Sequence, residues 1–304
     1  MAGSVITTSD GVRLRVSDTG GGGIPLVMLH GWGQTAALFE GQLVGLADSR
    51  RVIAYDMRGH GLSDKPDHGY RIARLAADLR DVLEGLGIER ADLLGWSMGA
   101  SVIWSYLELF GSARVRSLVL VDQPAAVLAW PWTTEERSAE TGAILPIDGL
   151  TELAASIAAD EDGDVVQSFV RSMFSEPVDE RVWRVVSEQI RQTPVHAAVP
   201  LLLDHAAQDW TDVLGLIDVP VLVIGCEGSH VGVRSQRELA ARIPGAVVHV
   251  FERDAVSSHF PFLEATESFN GLVEAFLSGV TSSASTGVEK RGDTRSQLSQ
   301  PVRA

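Results

Sequence analysis

One serine of the chain stands between two glycines, directly after an apolar run, in ADLLGWSMGAS at residues 91–101. A serine hydroxyl attacks a carbonyl only when a base takes its proton and the backbone presents its oxygen. The residues before Ser97 have a strand pattern, and MGASVIWSYL has a helical pattern. This context predicts a sharp strand-to-helix turn that exposes the hydroxyl, a nucleophile elbow. The alternative is a tight turn in which Ser97 only caps the helix.

A hydrolytic serine needs a general base, and histidine is the side chain whose ordinary pKa lies closest to neutral pH. The chain has eight histidines. Five of them lie in turns, in a helical stretch or in a strand pattern: His30, His60, His196, His205 and His249. His259 differs, because it lies in a loop between the last predicted strand and the last predicted helix. The family resemblance described below places the catalytic histidine in such a loop, which makes His259 the candidate base; the alternative is a solvated or helix-capping histidine.

Elements that could position these residues recur along the chain. Short runs rich in Val, Ile and Leu, each followed by loop residues, lie at 25–29, 51–56, 91–96, 116–122, 219–225 and 246–251. Such runs are typical of strands buried on both faces of a parallel sheet. Helical patterns alternate with them at 72–87, 101–110, 234–243 and 262–277. With a leading hairpin formed by SVITT and VRLRVSD, the sequence predicts an α/β protein with a doubly wound, mostly parallel eight-stranded sheet.

The alternation of strand and helix patterns stops between residues 125 and 215. This stretch has helical patterns only, so we expect a helical cap inserted between two strands. The core domain is then formed by residues 1–124 and 216–279. Residues 280–304 are polar and nearly without large apolar side chains, which predicts a disordered tail.

Four short motifs carry a resemblance to a known family. They are HGWGQ (30–34), YDMRGHGLSDKP (55–66), GWSMGA (95–100) and SSHFPFLE (257–264). Together they resemble the α/β-hydrolase superfamily over residues 1 to about 279. Within it, the core is similar to the non-heme haloperoxidase-like branch of esterases and lactonases.

The resemblance implies roles for individual residues. It assigns Ser97 as the nucleophile and His259 as the base of a catalytic triad. The backbone N–H groups of Met98 and Trp32 are expected to form the oxyanion hole.

The third member of the triad is less clear from the pattern. In the family, the acid commonly lies three residues after the glycine of the strand VLVIG, but that position is Gly228 here. Some members of the superfamily, such as haloalkane dehalogenases and zearalenone lactonases, carry their acid after the preceding strand, and Asp122 of LVLVD has that position. We expect Asp122 to be the acid, with Glu227 and Asp254 as alternatives.

Composition excludes several classes of partner. The net charge of −15 argues against binding to nucleic acid or to an anionic membrane. A single cysteine, Cys226, excludes an internal disulfide. No apolar run suits a membrane span and no leader is evident, so we expect a cytoplasmic protein. No cofactor or metal motif is found, and the sequence leaves open whether the chain forms a homodimer.

The expected substrate is a hydrophobic, neutral ester or lactone. Trp32, Trp104 and Trp130 are expected to form an apolar pocket wall, and no anion-binding group is identified. Haloalkane dehalogenases and epoxide hydrolases need an aspartate where Ser97 stands. A carbon–carbon bond hydrolase remains an alternative, although its usual turn differs from HGWGQT. The alternative outside the enzymes is a ligand receptor that keeps the triad but turns over slowly.

Overall fold

The apolar runs of the sequence form the centre of an eight-stranded sheet in a computed structural model, which describes residues 2–160, 162–174 and 178–288. The strands are β1 (Ala2–Thr7), β2 (Arg13–Asp18), β3 (Leu26–Leu29), β4 (Val52–Tyr55), β5 (Ala91–Trp96), β6 (Val115–Val121), β7 (Leu128–Ala129), β8 (Leu145–Pro146), β9 (Val221–Cys226) and β10 (Val247–Phe251). The sheet has the order β1-β2-β4-β3-β5-β6-β9-β10. β1 and β2 form the predicted antiparallel hairpin, and the six strands from β4 to β10 in that order are parallel. The predicted fold class is confirmed.

Helices cover both faces of the sheet and fill the insertion. They are α1 (Glu40–Gly45), α2 (Ile72–Gly85), α3 (Met98–Phe110), α4 (Glu135–Thr141), α5 (Ile147–Ala159), α6 (Asp164–Arg171), α7 (Glu180–Ile190), α8 (Val195–Ala206), α9 (Thr211–Leu214), α10 (Val233–Arg242), α11 (Pro261–Glu264) and α12 (Thr266–Val288). A short 3₁₀ helix, Ala36–Phe39, precedes α1. The sequence pattern of α2 predicted its buried stripe, because its apolar side chains recur every three or four residues and pack on the sheet.

Two features of the C-terminal region differ from the prediction. The helix expected over 262–277 breaks at Ala265 into α11 and α12. α12 then continues to Val288 and so extends into the range that the sequence predicted as a tail. Extending a helix that has already formed costs less than nucleating one. The rest of the predicted tail, 289–304, lies outside the described residues.

Residues 125–215 connect β6 to β9 and are called the helical insertion below. They contain α4 to α9, as the absence of strand runs predicted, but also the two-residue parallel pair β7 and β8. The insertion is attached to the core by hydrogen bonds. The indole Nε1–H of Trp32 donates to the carbonyl oxygen of Ala198 in α8 over 2.9 Å, and the hydroxyl of Thr35 donates to Oε1 of Gln189 in α7 over 2.8 Å.

Candidate active site

Ser97 occupies the sharp turn between β5 and α3. Its backbone has φ 53° and ψ −129°, a region that residues other than glycine rarely adopt. Its hydroxyl makes no capping hydrogen bond to α3. The Ser97 N–H donates to the carbonyl oxygen of Val121, 2.9 Å away, at the end of the neighbouring strand β6. The geometry therefore argues against the alternative in which Ser97 only caps the helix. The turn holds the serine side chain at the carboxyl edge of the sheet.

Three glycines make this turn sterically feasible. A Cβ on Gly95 would lie 2.6 Å from the Ala100 nitrogen, and one on Gly99 would lie 2.3 Å from the Leu29 carbonyl oxygen. A Cβ on Gly31 would lie 3.1 Å from the Cβ of Ser97. The loop after β3 thus packs directly against the serine. At Gly95 and Gly99 the neighbouring backbone is too close for a larger residue, whereas at Gly31 the tight contact is with side chains.

Asp122 directly follows β6 and lies against His259. Oδ2 of Asp122 accepts a hydrogen bond from Nδ1 of His259 over 2.7 Å. Both side chains are buried, and the Asp122 N–H donates to the Ile224 carbonyl oxygen of β9. Because an ionised carboxylate only accepts hydrogen bonds, the proton of the neutral imidazole lies on Nδ1. Nε2 of His259 is then left as the basic nitrogen.

Ser97 and Asp122 share an uncommon backbone conformation. In the described parts of the chain they are the two non-glycine residues with positive φ, 53° and 49°. Such conformations cost about 1–3 kcal/mol each and are found mainly at functional sites. β5 and β6 are neighbours in the sheet, so the two strained residues lie side by side at one edge.

The His259 loop is fixed by several contacts. Its carbonyl oxygen accepts a hydrogen bond from the Trp96 indole over 2.9 Å, and its N–H donates to the Met173 carbonyl oxygen of the insertion over 3.3 Å. The ring lies edge-on to His230, with 4.8 Å between ring centroids. Burial lowers the pKa of His230 to about 3, so this neighbour is uncharged at neutral pH. The imidazole of His259 is therefore held between the core and the insertion.

The expected oxyanion donors flank Ser97. Met98 is the first residue of α3, where backbone N–H groups have no partner within the helix. Among the described residues, neither its N–H nor that of Trp32 has a hydrogen-bond acceptor. Two free backbone donors near the serine are what stabilisation of a developing oxyanion requires.

A cavity of about 590 Å³, counting the part open to solvent, lies over Ser97 and His259. The insertion supplies an apolar wall made of Val127, Ile144, Leu145, Phe169, Val170, Met173 and Leu202. Polar side chains from Gln34, Gln123, His205 and His230 complete the lining. Of the described residues that line the cavity, none is a lysine or an arginine.

The alpha/beta hydrolase fold family model matches residues 24–266. The chain belongs to the α/β-hydrolase family. A non-heme chloroperoxidase from Streptomyces lividans is 31% identical over 72% of this chain and 79% of its own. The esterase EaEST from Exiguobacterium antarcticum superposes with a TM-score of 0.80 at 26% identity, covering 92% of this chain and all of its own. An enol-lactonase from Burkholderia xenovorans LB400 shares the fold, with a TM-score of 0.75 at 24% identity over 90% of this chain and all of its own.

In this α/β-hydrolase a side chain at position 228, where the resemblance places the usual acid, would not fit without a shift of its neighbours. A Cβ on Gly228 would lie 2.5 Å from the Ser257 carbonyl carbon, because the His259 loop packs on the end of β9. Glu227 is exposed, and its Oε2 accepts from the Arg253 N–H. Asp254 is also exposed. Of the three carboxylates considered from the sequence, Asp122 is the one that bonds to His259.

Two of the expected pocket residues lie elsewhere in the hydrolase. Trp32 lines the cavity, but Trp104 and Trp130 do not. Trp104 is two helical turns beyond Ser97, so α3 carries it about 10 Å away from the strand ends, where it is fully buried beside Trp210. Trp130 stacks on Trp132 with 5.0 Å between the ring centroids. Their bulk therefore stabilises packing and does not contact the cavity.

Two histidines near the site have structural contacts. His30 Nε2 accepts from the Met57 N–H, and its Nδ1–H donates to the Gly31 carbonyl oxygen. His60 Nε2 accepts from the Gly33 N–H. Burial lowers the pKa of His30 to about 4 and that of His60 to about 3, so both are neutral and hold the loop after β3.

Sequence reasoning missed Gln34, His205 and His230 as cavity residues. His205 had a signal, because it shares a face of α8 with buried apolar residues three and four positions earlier. A histidine on such a face needs an explanation. Gln34 and His230 had no comparable signal.

In the described parts of the hydrolase, no helix has the length and apolar composition needed to cross a bilayer.

Proposed function

We propose that the protein is a serine hydrolase that cleaves a carboxylic ester or a lactone through an acyl-enzyme intermediate. One observation carries the proposal. Ser97 and His259 line the same cavity, and Nδ1 of His259 lies 2.7 Å from the buried carboxylate of Asp122. The proposed nucleophile, base and acid thus lie on three loops at the carboxyl edge of the sheet, and this placement supports their assignment as a triad.

The first half of the reaction uses these groups in order. His259 takes the Ser97 proton on Nε2 while the serine oxygen attacks the substrate carbonyl. The imidazole becomes positively charged, and the Asp122 carboxylate stabilises that charge through the Nδ1–H bond. The backbone N–H groups of Trp32 and Met98 bind the oxyanion of the tetrahedral intermediate.

Collapse of this intermediate breaks the ester bond. His259 gives its proton to the leaving alcohol, or to the ring oxygen of a lactone, and the acyl group stays on Ser97. Water then attacks the acyl-enzyme by the same route, with His259 again as the base. The product acid leaves and the serine regains its proton.

The lining of the cavity supports a largely apolar, uncharged substrate. Seven apolar side chains of the insertion face the catalytic residues, and a fixed positive group to hold a carboxylate is not among the described lining residues. The names of similar proteins, an esterase and an enol-lactonase, point to the same bond types. We propose a small-molecule ester or lactone as the partner.

We further propose that the helical insertion acts as a cap domain. It supplies the apolar wall over Ser97 and reaches the His259 loop through the Met173 carbonyl oxygen and through a bridge between Phe174 and Ser258. A substrate bound below it is shielded from water, which strengthens the electrostatic interactions in the site.

The experiment compares single variants on p-nitrophenyl esters of increasing chain length and on several lactones. We expect Ser97→Ala to lower kcat by about 10⁴-fold or more. Asp122→Asn should lower kcat by about 10²–10⁴-fold, because the imidazole loses the partner that fixes its tautomer. Glu227→Gln is the matched control, since Glu227 is exposed and bonds to Arg253. Activity near that of wild type in Ser97→Ala refutes the serine mechanism, and a larger loss in Glu227→Gln than in Asp122→Asn moves the acid to Glu227.

A further inference from the structure

Gln34 and His205 are buried polar side chains that the proposed reaction does not use. They are 1% and 6% exposed, and both line the cavity. Nε2 and Oε1 of Gln34 and Nδ1 of His205 have no hydrogen-bond partner among the described residues. Burying an amide or an imidazole without partners is unfavourable, so such groups call for an explanation. Because they line the cavity that also contains Ser97 and His259, binding of a ligand there would explain them.

We propose that Gln34 and His205 form a polar subsite that binds an uncharged hydrogen-bonding group of the substrate, of the amide or hydroxyl type. This inference rests on the proposed ester or lactone hydrolysis and narrows its substrate class. The ligand is an ester or lactone that is mainly apolar but carries one further polar group apart from the scissile bond.

The chemistry of the two side chains indicates an uncharged group with both a donor and an acceptor. The Gln34 amide offers two N–H donors and a carbonyl acceptor, which complement an amide or a hydroxyl. Burial lowers the pKa of His205 to about 4, so its imidazole is neutral at pH 7. A carboxylate would therefore be buried without a counter-charge from the described lining residues.

The two groups are also held in fixed relative positions. Gln34 lies between Trp32 and Thr35, and both of these neighbours bond to the insertion, to Ala198 and Gln189 respectively. Ala198 belongs to the same helix, α8, as His205. The loop and the helix that carry the subsite are thus joined directly, and a bound group meets donors and acceptors that need little rearrangement.

The test measures selectivity within each variant, so that a general change in activity cancels. The probes are p-nitrophenyl esters of ω-acetamido acids, ω-hydroxy acids and ω-carboxy acids, each paired with a fatty acid ester of the same length. For one chain length of the series, wild type should prefer the acetamido or hydroxy ester by about 10-fold or more in kcat/KM. The carboxy ester should be the poorest substrate. Gln34→Met and His205→Leu should each lower the preference by about 5–10-fold.

Thermal unfolding separates a binding role from a structural one. Gln34→Met should leave Tm unchanged or raise it, because no hydrogen bond within the protein is lost. Gln236→Met is the matched control: this glutamine is also 1% exposed, but its Nε2–H donates to the Gln123 carbonyl oxygen over 3.1 Å. That variant should lower Tm by a few degrees. A fall of equal size in Gln34→Met would show that Gln34 is structural and overturn the proposal.

A binding measurement separates failure of the subsite from failure of the hydrolase. N-butylacetamide, which contains no ester, should raise the Tm of wild type and not that of Gln34→Met. If wild type cleaves no ester but shows this shift, the proposed reaction is wrong and the subsite is right. If esters are cleaved with no preference, or with a preference that Gln34→Met retains, the subsite is wrong and the hydrolase stands.

Discussion

Replacing Ser97 by glycine and by alanine separates the chemical role of the serine from the cost of its backbone. Both variants lack the hydroxyl, so both should lose activity. They differ at φ 53° and ψ −129°, which glycine adopts freely and alanine does not. The strained conformation costs about 1–3 kcal/mol, whereas glycine loses about 0.5–1 kcal/mol more conformational entropy on folding. The net expectation is that Ser97→Gly is more stable than Ser97→Ala by about 1 kcal/mol.

The assay is urea unfolding of wild type and both variants at one pH, with Tm as a second readout. One kcal/mol corresponds to a Tm difference of about 2 °C in a chain of this size. Asp122→Gly and Asp122→Ala provide a second pair at φ 49°, and both lose the same bond to His259. Equal stability within both pairs would refute the argument that the site stores backbone strain.

Three further predictions concern the acid position, a buried ion pair and pH. Adding Gly228→Asp to Asp122→Asn should restore no activity and should lower Tm, because the new Cβ would clash with the His259 loop; recovery of activity would contradict this. Arg58→Met should destabilise the fold by about 1.5–3 kcal/mol in urea unfolding, because the buried Asp78 would lose two charged hydrogen bonds and keep only Arg74 as a partner; a change below 1 kcal/mol would contradict it. Burial lowers the folded-state pKa of four histidines, so the unfolded chain binds more protons and stability decreases as the pH falls below about 6.5. Each should contribute a loss of about 1 kcal/mol between pH 6.5 and 5.5, and a flat profile there would contradict the assignment of neutral buried rings to His30, His60, His205 and His230.

The sheet could be predicted from the sequence because its central strands are buried on both faces. β5 is an example, since all six of its residues are buried and four of them are apolar, the exceptions being Asp92 and Gly95. The pair β7 and β8 could not be predicted, because two residues are too few to show a period. The break at Ala265 also had no signal, since the helical pattern continues through it.

The candidate site likewise has parts that the sequence predicts and parts that it does not. The turn at Ser97 is encoded locally by its glycines, and Asp122 follows a strand whose end the pattern locates. The cavity lining depends on how the insertion packs on the sheet, which no local pattern specifies. Trp104 and Trp130 were assigned by their size alone, and the assignment was wrong because helix geometry and ring stacking direct them elsewhere.

The hydrogen bond between the Trp32 indole and the Ala198 carbonyl oxygen couples the position of α8 to the position of the Trp32 backbone N–H. The same residue supplies, in the proposed mechanism, a backbone donor to the oxyanion and a side-chain anchor for α8. A ligand that stabilises α8 in its position against the core then also stabilises the position of the Trp32 N–H. By thermodynamic reciprocity, a ligand that bonds to this N–H stabilises the position of α8. Substitutions in α8 that contact no substrate are therefore expected to change kcat as well as KM.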